Sequence, residues 1–266
     1  MARFFQVVGL AVVGLLASAP ALAQGTCVQD LSRAHELRVL DEIQITELME
    51  RFDVVAAPQR LHHMLASLVA ASPQLRQGPA VHLLAYEDAD LNAYATDHGM
   101  VILTSAMWSA KENLSDDELA AVMAHELAHI EGHDSLAEAC TNLQRLGQPT
   151  LRFEDARDRM ALEMFNPRST LARQAQQQLH AQEHAADVRA IELLRAVGRN
   201  PQAMVSVLAK IHGTTPSALN LLMGTTHPEL RTRLAQAQAA VDAVKKARPI
   251  SPQSETPRPH PRPTAR

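Results

Sequence analysis

The stretch from Ser115 to Ser135, SDDELAAVMAHELAHIEGHDS, constrains this chain more than any other. Ser115 is a good N-cap residue and Glu118 stands three positions on, the reciprocal arrangement of a capping box. Asp116 and Asp117 put negative charge in the first turn, where the helix dipole favours it. Leu119, Val122, Met123, Leu127 and Ile130 recur at helical spacing, so the stretch predicts a helix over residues 116–134. On that helix His125 and His129 are four residues apart and share a face. Two imidazoles so placed can bind one metal ion. Zinc takes imidazole nitrogen readily, and a catalytic zinc site keeps one position open for water. Glu126, beside them, can then take a proton from that water.

A third ligand must come from elsewhere. A long helix is expected over residues 169–197, closed by Gly198 as its C-cap. Its informative part is HAQEHAADVRAIELL. Glu183 and Asp187 lie at i and i+4 and share a face. Glu183 can complete a two-histidine, one-carboxylate zinc site. Asp187 can accept a hydrogen bond from a ligand imidazole and hold its tautomer. Ala185, Ala186, Ile191 and Leu194 point to a closely packed helix rather than a solvated acidic face. His180 and His184 on the same helix, and His133 one turn past His129, remain rival third ligands. The longer metzincin pattern is not met: Gly132 is present, but Ser135 stands where its third histidine is required.

The remaining chain frames this centre. Residues 1–23 read as a secretory signal, with Arg3, an apolar run from Phe4 to Ala17 and an Ala21-Leu22-Ala23 cleavage site. The mature chain is then expected to begin at Gln24 and to be periplasmic or secreted. Cys27 is not preceded by a lipoprotein signal. No later stretch is apolar for long enough to cross a bilayer, so no transmembrane helix is expected in the mature chain. The only cysteines, Cys27 and Cys140, either form a disulfide in an oxidising compartment or stand as one exposed and one buried thiol.

Helices are expected across residues 29–72. VHLLAY and MVILT are short apolar runs bounded by turn formers, and Asp97-His98-Gly99 marks a tight turn. They predict a small antiparallel sheet at residues 80–86, 92–96 and 100–104, within a segment spanning 80–105, whose open edge can pair with an extended peptide. Residues 141–168 read as irregular, with a helix over FEDARDRMALEMF. Asn200-Pro201 opens a short helix to about His212, and Thr226-His227-Pro228 starts a last one. The segment 244–266 is Pro-rich and basic and reads as a disordered tail. A net charge of -4, and no basic stripe interleaved with aromatics, exclude a nucleic-acid partner. The fold class is therefore α+β and mainly helical, with one domain over residues 24–243.

Four of these stretches, taken in order, resemble the HtpX-like and BepA-like zinc metallopeptidases, gluzincins related to the CAAX prenyl proteases. NAYATDHGMVILTSAM resembles the family's hairpin, HELAH its metal helix, EHAAD its third-ligand helix, and THPEL its late Ser/Thr-His-Pro turn. The resemblance implies a zincin-type peptidase domain holding one Zn2+ per chain. It implies His125, His129 and Glu183 as ligands, Glu126 as general base and Asp187 behind the ligands. It also implies His227 near the metal, either gating it or steadying the oxyanion. This chain lacks the membrane helices of HtpX and the TPR array of BepA, so substrate choice transfers poorly. Two functions follow as expectations. One is an exported zinc endopeptidase acting on protein or peptide substrates, misfolded envelope proteins among them. The other is a zinc-binding, chaperone-like or autoinhibited protein that cleaves little.

Overall fold

The computed structural model describes residues 27, 30–109, 114–166, 168–213 and 230–246. Nine α-helices and one three-stranded sheet lie among the described residues. Helix α1 spans Leu31–Arg51, α2 Gln59–Ala71 and α3 Pro73–Gln77. The strands follow as β1 (His82–Tyr86), β2 (Ala93–Ala95) and β3 (Met100–Thr104). Then come α4 (Asp116–Gly132), α5 (Asp134–Arg145), α6 (Phe153–Met164), α7 (Thr170–Ala196), α8 (Gln202–Gly213) and α9 (Leu230–Lys246). None of the described helices is long and apolar enough to cross a membrane.

Helix α4 is the centre of the packing. It is buried nearly all round, which suits a helix apolar on every side rather than on one stripe. Its main neighbour is α7, with α8, α2 and strand β2 on its other flanks. Small residues allow that closeness: Ala120, Ala121 and Ala124 on α4, and Ala186 and Ala190 on α7, are all buried. Leu119, Met123, Leu127, Ile191 and Leu194 fill the space between. The capping box forms as expected. Ser115 accepts from the Glu118 N–H, and the Glu118 carboxylate accepts from the Ser115 N–H at 2.8 Å. The same carboxylate takes the Lys210 ammonium at 2.8 Å and the Ser206 hydroxyl, which fastens α8 to the start of α4.

The sheet corrects one expectation. Its order is β1-β3-β2, with β2 antiparallel to β3 but β1 parallel to it. The expected antiparallel sheet is therefore mixed. The β2–β3 hairpin turns at Thr96–Gly99, as the Asp97-His98-Gly99 signal requires. Gly99 has φ +94° there, and a Cβ would stand 2.4 Å from the Ala80 carbonyl oxygen. Strand β3 then uses its other edge for β1, which runs in its own direction. A second correction concerns residues after the metal helix. The expected helix to residue 134 ends at Gly132, and the chain restarts at once as α5. His133, at φ 50° and ψ 45°, is the left-handed residue between them. Thr141 and its neighbours, read as irregular, belong to this helix.

A smaller core gathers Leu37, Leu136, Cys140, Leu143, Phe153 and Ala156 from α1, α5 and α6. The Cys27–Cys140 disulfide lies at its edge.

Candidate metal centre

Helices α4 and α7 bring three donors to one point. His125 Nε2 and His129 Nε2 are 3.0 Å apart. The Glu183 carboxylate lies 3.6 Å from the first and 3.4 Å from the second. Bonds of ~2.0–2.2 Å to a tetrahedral zinc need donors separated by a little over 3 Å. These three therefore fit one zinc ion with little adjustment, and no other set of three or more His, Cys, Asp or Glu donors occurs among the described residues.

The far side of each imidazole explains why the inner nitrogens are available. His125 Nδ1 meets Asp187 at 3.0 Å. His129 Nδ1 meets Asp134 at 2.7 Å. A carboxylate accepts only, so each Nδ1 carries a proton and each Nε2 is the nitrogen turned toward the shared space, where its lone pair could take a cation in place of a second proton. The surroundings are strongly anionic. Burial disfavours a charged His129, but Asp134, Glu183 and Glu126 more than offset it and push the ring up to about 10. His125 is raised in the same way, burial being outweighed by Asp187 and Glu183. A centre that favours a proton this much favours a divalent cation for the same reason.

Arg233, on α9, completes the centre and was not anticipated from the sequence. It is 4% exposed. Its guanidinium holds Asp187 at 2.6 and 2.8 Å in the bidentate manner and reaches Glu183 at 2.8 Å. Burial would raise the Asp187 carboxyl, but Arg233 and His125 hold it below the usual carboxylate range. Asp187, itself fully buried, thus joins α4, α7 and α9. A signal for Arg233 exists in the chain. It shares a helical stripe with Ala237 and Val241, both buried, and a charge in register with such a stripe requires a buried partner.

Glu126 is 7% exposed and lies with His125 and Arg233 at the wall of a cleft of about 90 Å³. Ala93, Val122, Met204, Val207, Leu208 and Ile211 supply its apolar lining. Strand β2 stands beside it at the margin of the sheet.

Of the rival ligands, His180, His184 and His133 do not join the donor set. His133 serves instead as the left-handed residue that ends α4. His227 lies outside the described residues, as do the expected signal segment and residues 247–266 of the expected tail; residues 244–246, expected to be disordered, instead form the last turn of α9.

Comparison with known families decides the class. Residues 56–241 match the model of peptidase family M48. The chain belongs to that family. Peptidases of that family typically depend on zinc. A comparison with curated proteins returned no match. Among solved structures the chain is similar to the crystal structure of S. mikatae Ste24p, at 15% identity and a TM-score of 0.40. That similarity covers 76% of this chain and 56% of the other, so this M48 chain spans little more than half the length of that relative.

Proposed function

We propose that the chain is an exported zinc endopeptidase. In this reading His125, His129 and Glu183 hold the metal, Glu126 moves the proton, and Asp187 orients His125. The observation that carries it is the convergence of three donors from α4 and α7 with the buried Glu126 beside them. Bound zinc supplies Lewis acidity at the scissile carbonyl and makes a water acidic enough to attack near neutral pH. Glu126 accepts that water's proton as it attacks and passes it to the departing amine. Arg233 holds Glu183 and Asp187 in place and balances their charge.

The edge of β2 and the apolar cleft support a peptide substrate. An extended segment can add to a sheet edge by main-chain hydrogen bonds and place one aliphatic side chain in the cleft. Protein substrates with exposed extended segments fit that description, and misfolded envelope proteins are of this kind. The Cys27–Cys140 disulfide is consistent with an oxidising compartment. His227 is assigned a place near the metal on the family resemblance alone.

The test is Glu126→Gln. The variant is expected to bind one zinc per chain and to lose casein cleavage by ~10²–10⁴-fold, the usual weight of a general acid–base group. Cleavage by the native chain is expected to stop with chelator and return with zinc. Undiminished cleavage by the variant would remove Glu126 from the mechanism. Zinc binding with no cleavage by the native chain would favour the chaperone-like or autoinhibited reading instead.

A further inference from the structure

We infer that Asp134 is the positioning residue for His129, and that the break after the metal helix exists to deliver it. The inference rests on the zinc site proposed above.

The two ligand imidazoles are steadied by carboxylates of different origin. Asp187, behind His125, comes from α7 and is clamped by Arg233. Asp134, behind His129, comes from the same stretch of chain five residues on. On an uninterrupted helix position i+5 is rotated well away from the face of i, by about 140° at 3.6 residues per turn. A straight α4 would therefore carry Asp134 away from the ring it touches. His133 removes that problem. Its left-handed backbone ends α4, with its N–H on the His129 and Ile130 carbonyls, and α5 sets off from Asp134 in a new direction. Left-handed backbone is uncommon for a residue other than glycine, and His133 is the only such case among the described residues.

Three further contacts hold Asp134 in place. Gln182 Nε2, on the third-ligand helix beside Glu183, donates to the Asp134 carbonyl at 2.9 Å. Asp97, from the β2–β3 turn, accepts the Ser135 and Leu136 N–H groups at 3.3 and 2.8 Å and so fixes the first turn of α5. Gly132 leaves room for the carboxylate itself. A Cβ there would stand 2.8 Å from Asp134 Oδ1. The hairpin and α7 thus converge on the residue that orients the second ligand.

A carboxylate on Nδ1 keeps that proton in place, aims the ring, and raises the basicity of Nε2 toward the metal. Removing such a group typically costs ~10–100-fold in metal affinity. The expected order of zinc affinity, measured by chelator competition on the full chain, is native, then Asp134→Asn, then Asp134→Ala. The alanine variant is expected to fall by ~10–100-fold, and the asparagine variant by less, because its amide oxygen still accepts from Nδ1. In NMR spectra of the zinc-loaded protein, the His129 Nδ1–H resonance is expected to move upfield in both variants while that of His125 stays put.

Gly132→Ala separates positioning from simple structure. Alanine favours the helix by up to about 1 kcal/mol relative to glycine. The thermal midpoint without metal is therefore expected to hold or rise while zinc affinity falls. Zinc affinity unchanged in Asp134→Ala, with the His129 resonance unmoved, would overturn the inference and leave the zinc site itself standing. Failure of the native chain to bind zinc at all would instead strike the site.

Discussion

The two cores of this molecule are built on different principles. The larger one packs α4 against α7, α8 and α2, and α9 against α7 and α8, through apolar side chains, many of them fully buried. His125, His129, Glu183, Asp187 and Arg233 lie on helices of that core, while Asp134 opens α5, which belongs to the other. The smaller core, under α1, α5 and α6, has few apolar residues and relies on other bonds. The Cys27–Cys140 disulfide closes it. Arg33 donates to the Leu151 carbonyl at 2.7 Å and to that of Pro149, and Glu36 accepts the Phe153 N–H at 2.6 Å. The contrast teaches where rigidity comes from: close packing where ligands must be aimed, covalent and polar ties where a cover must be attached.

Substitutions can break or sharpen that contrast. The largest effect is expected from Arg233→Met, which leaves the Asp187 and Glu183 carboxylates in the interior without their guanidinium. Removing one partner of a buried ion pair typically costs ~3–5 kcal/mol. Chemical denaturation without metal is expected to show that loss, and zinc is expected to return more stability to this variant than to the native chain. Ile191→Ala, fully buried in the C-terminal third of α7, is expected to cost ~2–5 kcal/mol through a cavity and to lower zinc affinity with it. Opening the disulfide, by reduction or by Cys27→Ala with Cys140→Ala, is expected to cost ~2–4 kcal/mol. Zinc affinity should then stay as it was, because neither cysteine supports a ligand. A large fall in zinc affinity on reduction would show that the two cores are coupled.

The smallest effect concerns acid. Glu118 resists burial because Lys210, Ser206 and Ser115 hold its carboxylate, which lowers it to about 2 from the ordinary 4.5. A depressed carboxyl contributes stability that is complete above the ordinary value and disappears as pH falls through the lowered one. Denaturant titrations between pH 5 and pH 2 are expected to show that decline, and Lys210→Met to flatten it.

Much of the centre was legible because helices write their faces into sequence. The capping box and the i, i+4 pair placed His125 and His129 on α4. The Glu183–Asp187 pair on α7 offered one candidate third donor beside His180, His184 and His133, and the packing of the two helices brings Glu183 to the two imidazoles. Arg233 escaped because local periodicity does not say which partner a buried charge will meet. Asp134 escaped because its use depends on His133 leaving the right-handed region, which no propensity demands. The parallel pairing of β1 with β3 escaped because runs such as VHLLAY carry no mark of direction.

The long separations inside the centre have a consequence for how the protein matures. Arg233 follows His125 by 108 residues and Asp187 by 46. A chain emerging from its N-terminus outward therefore displays the HELAH stretch long before it owns Glu183, the carboxylate proposed as the third ligand. The guanidinium that steadies that carboxylate arrives later still. Under the hydrolase reading, the nascent chain cannot cut until its last helix has docked, which protects it from its own activity during synthesis and transport.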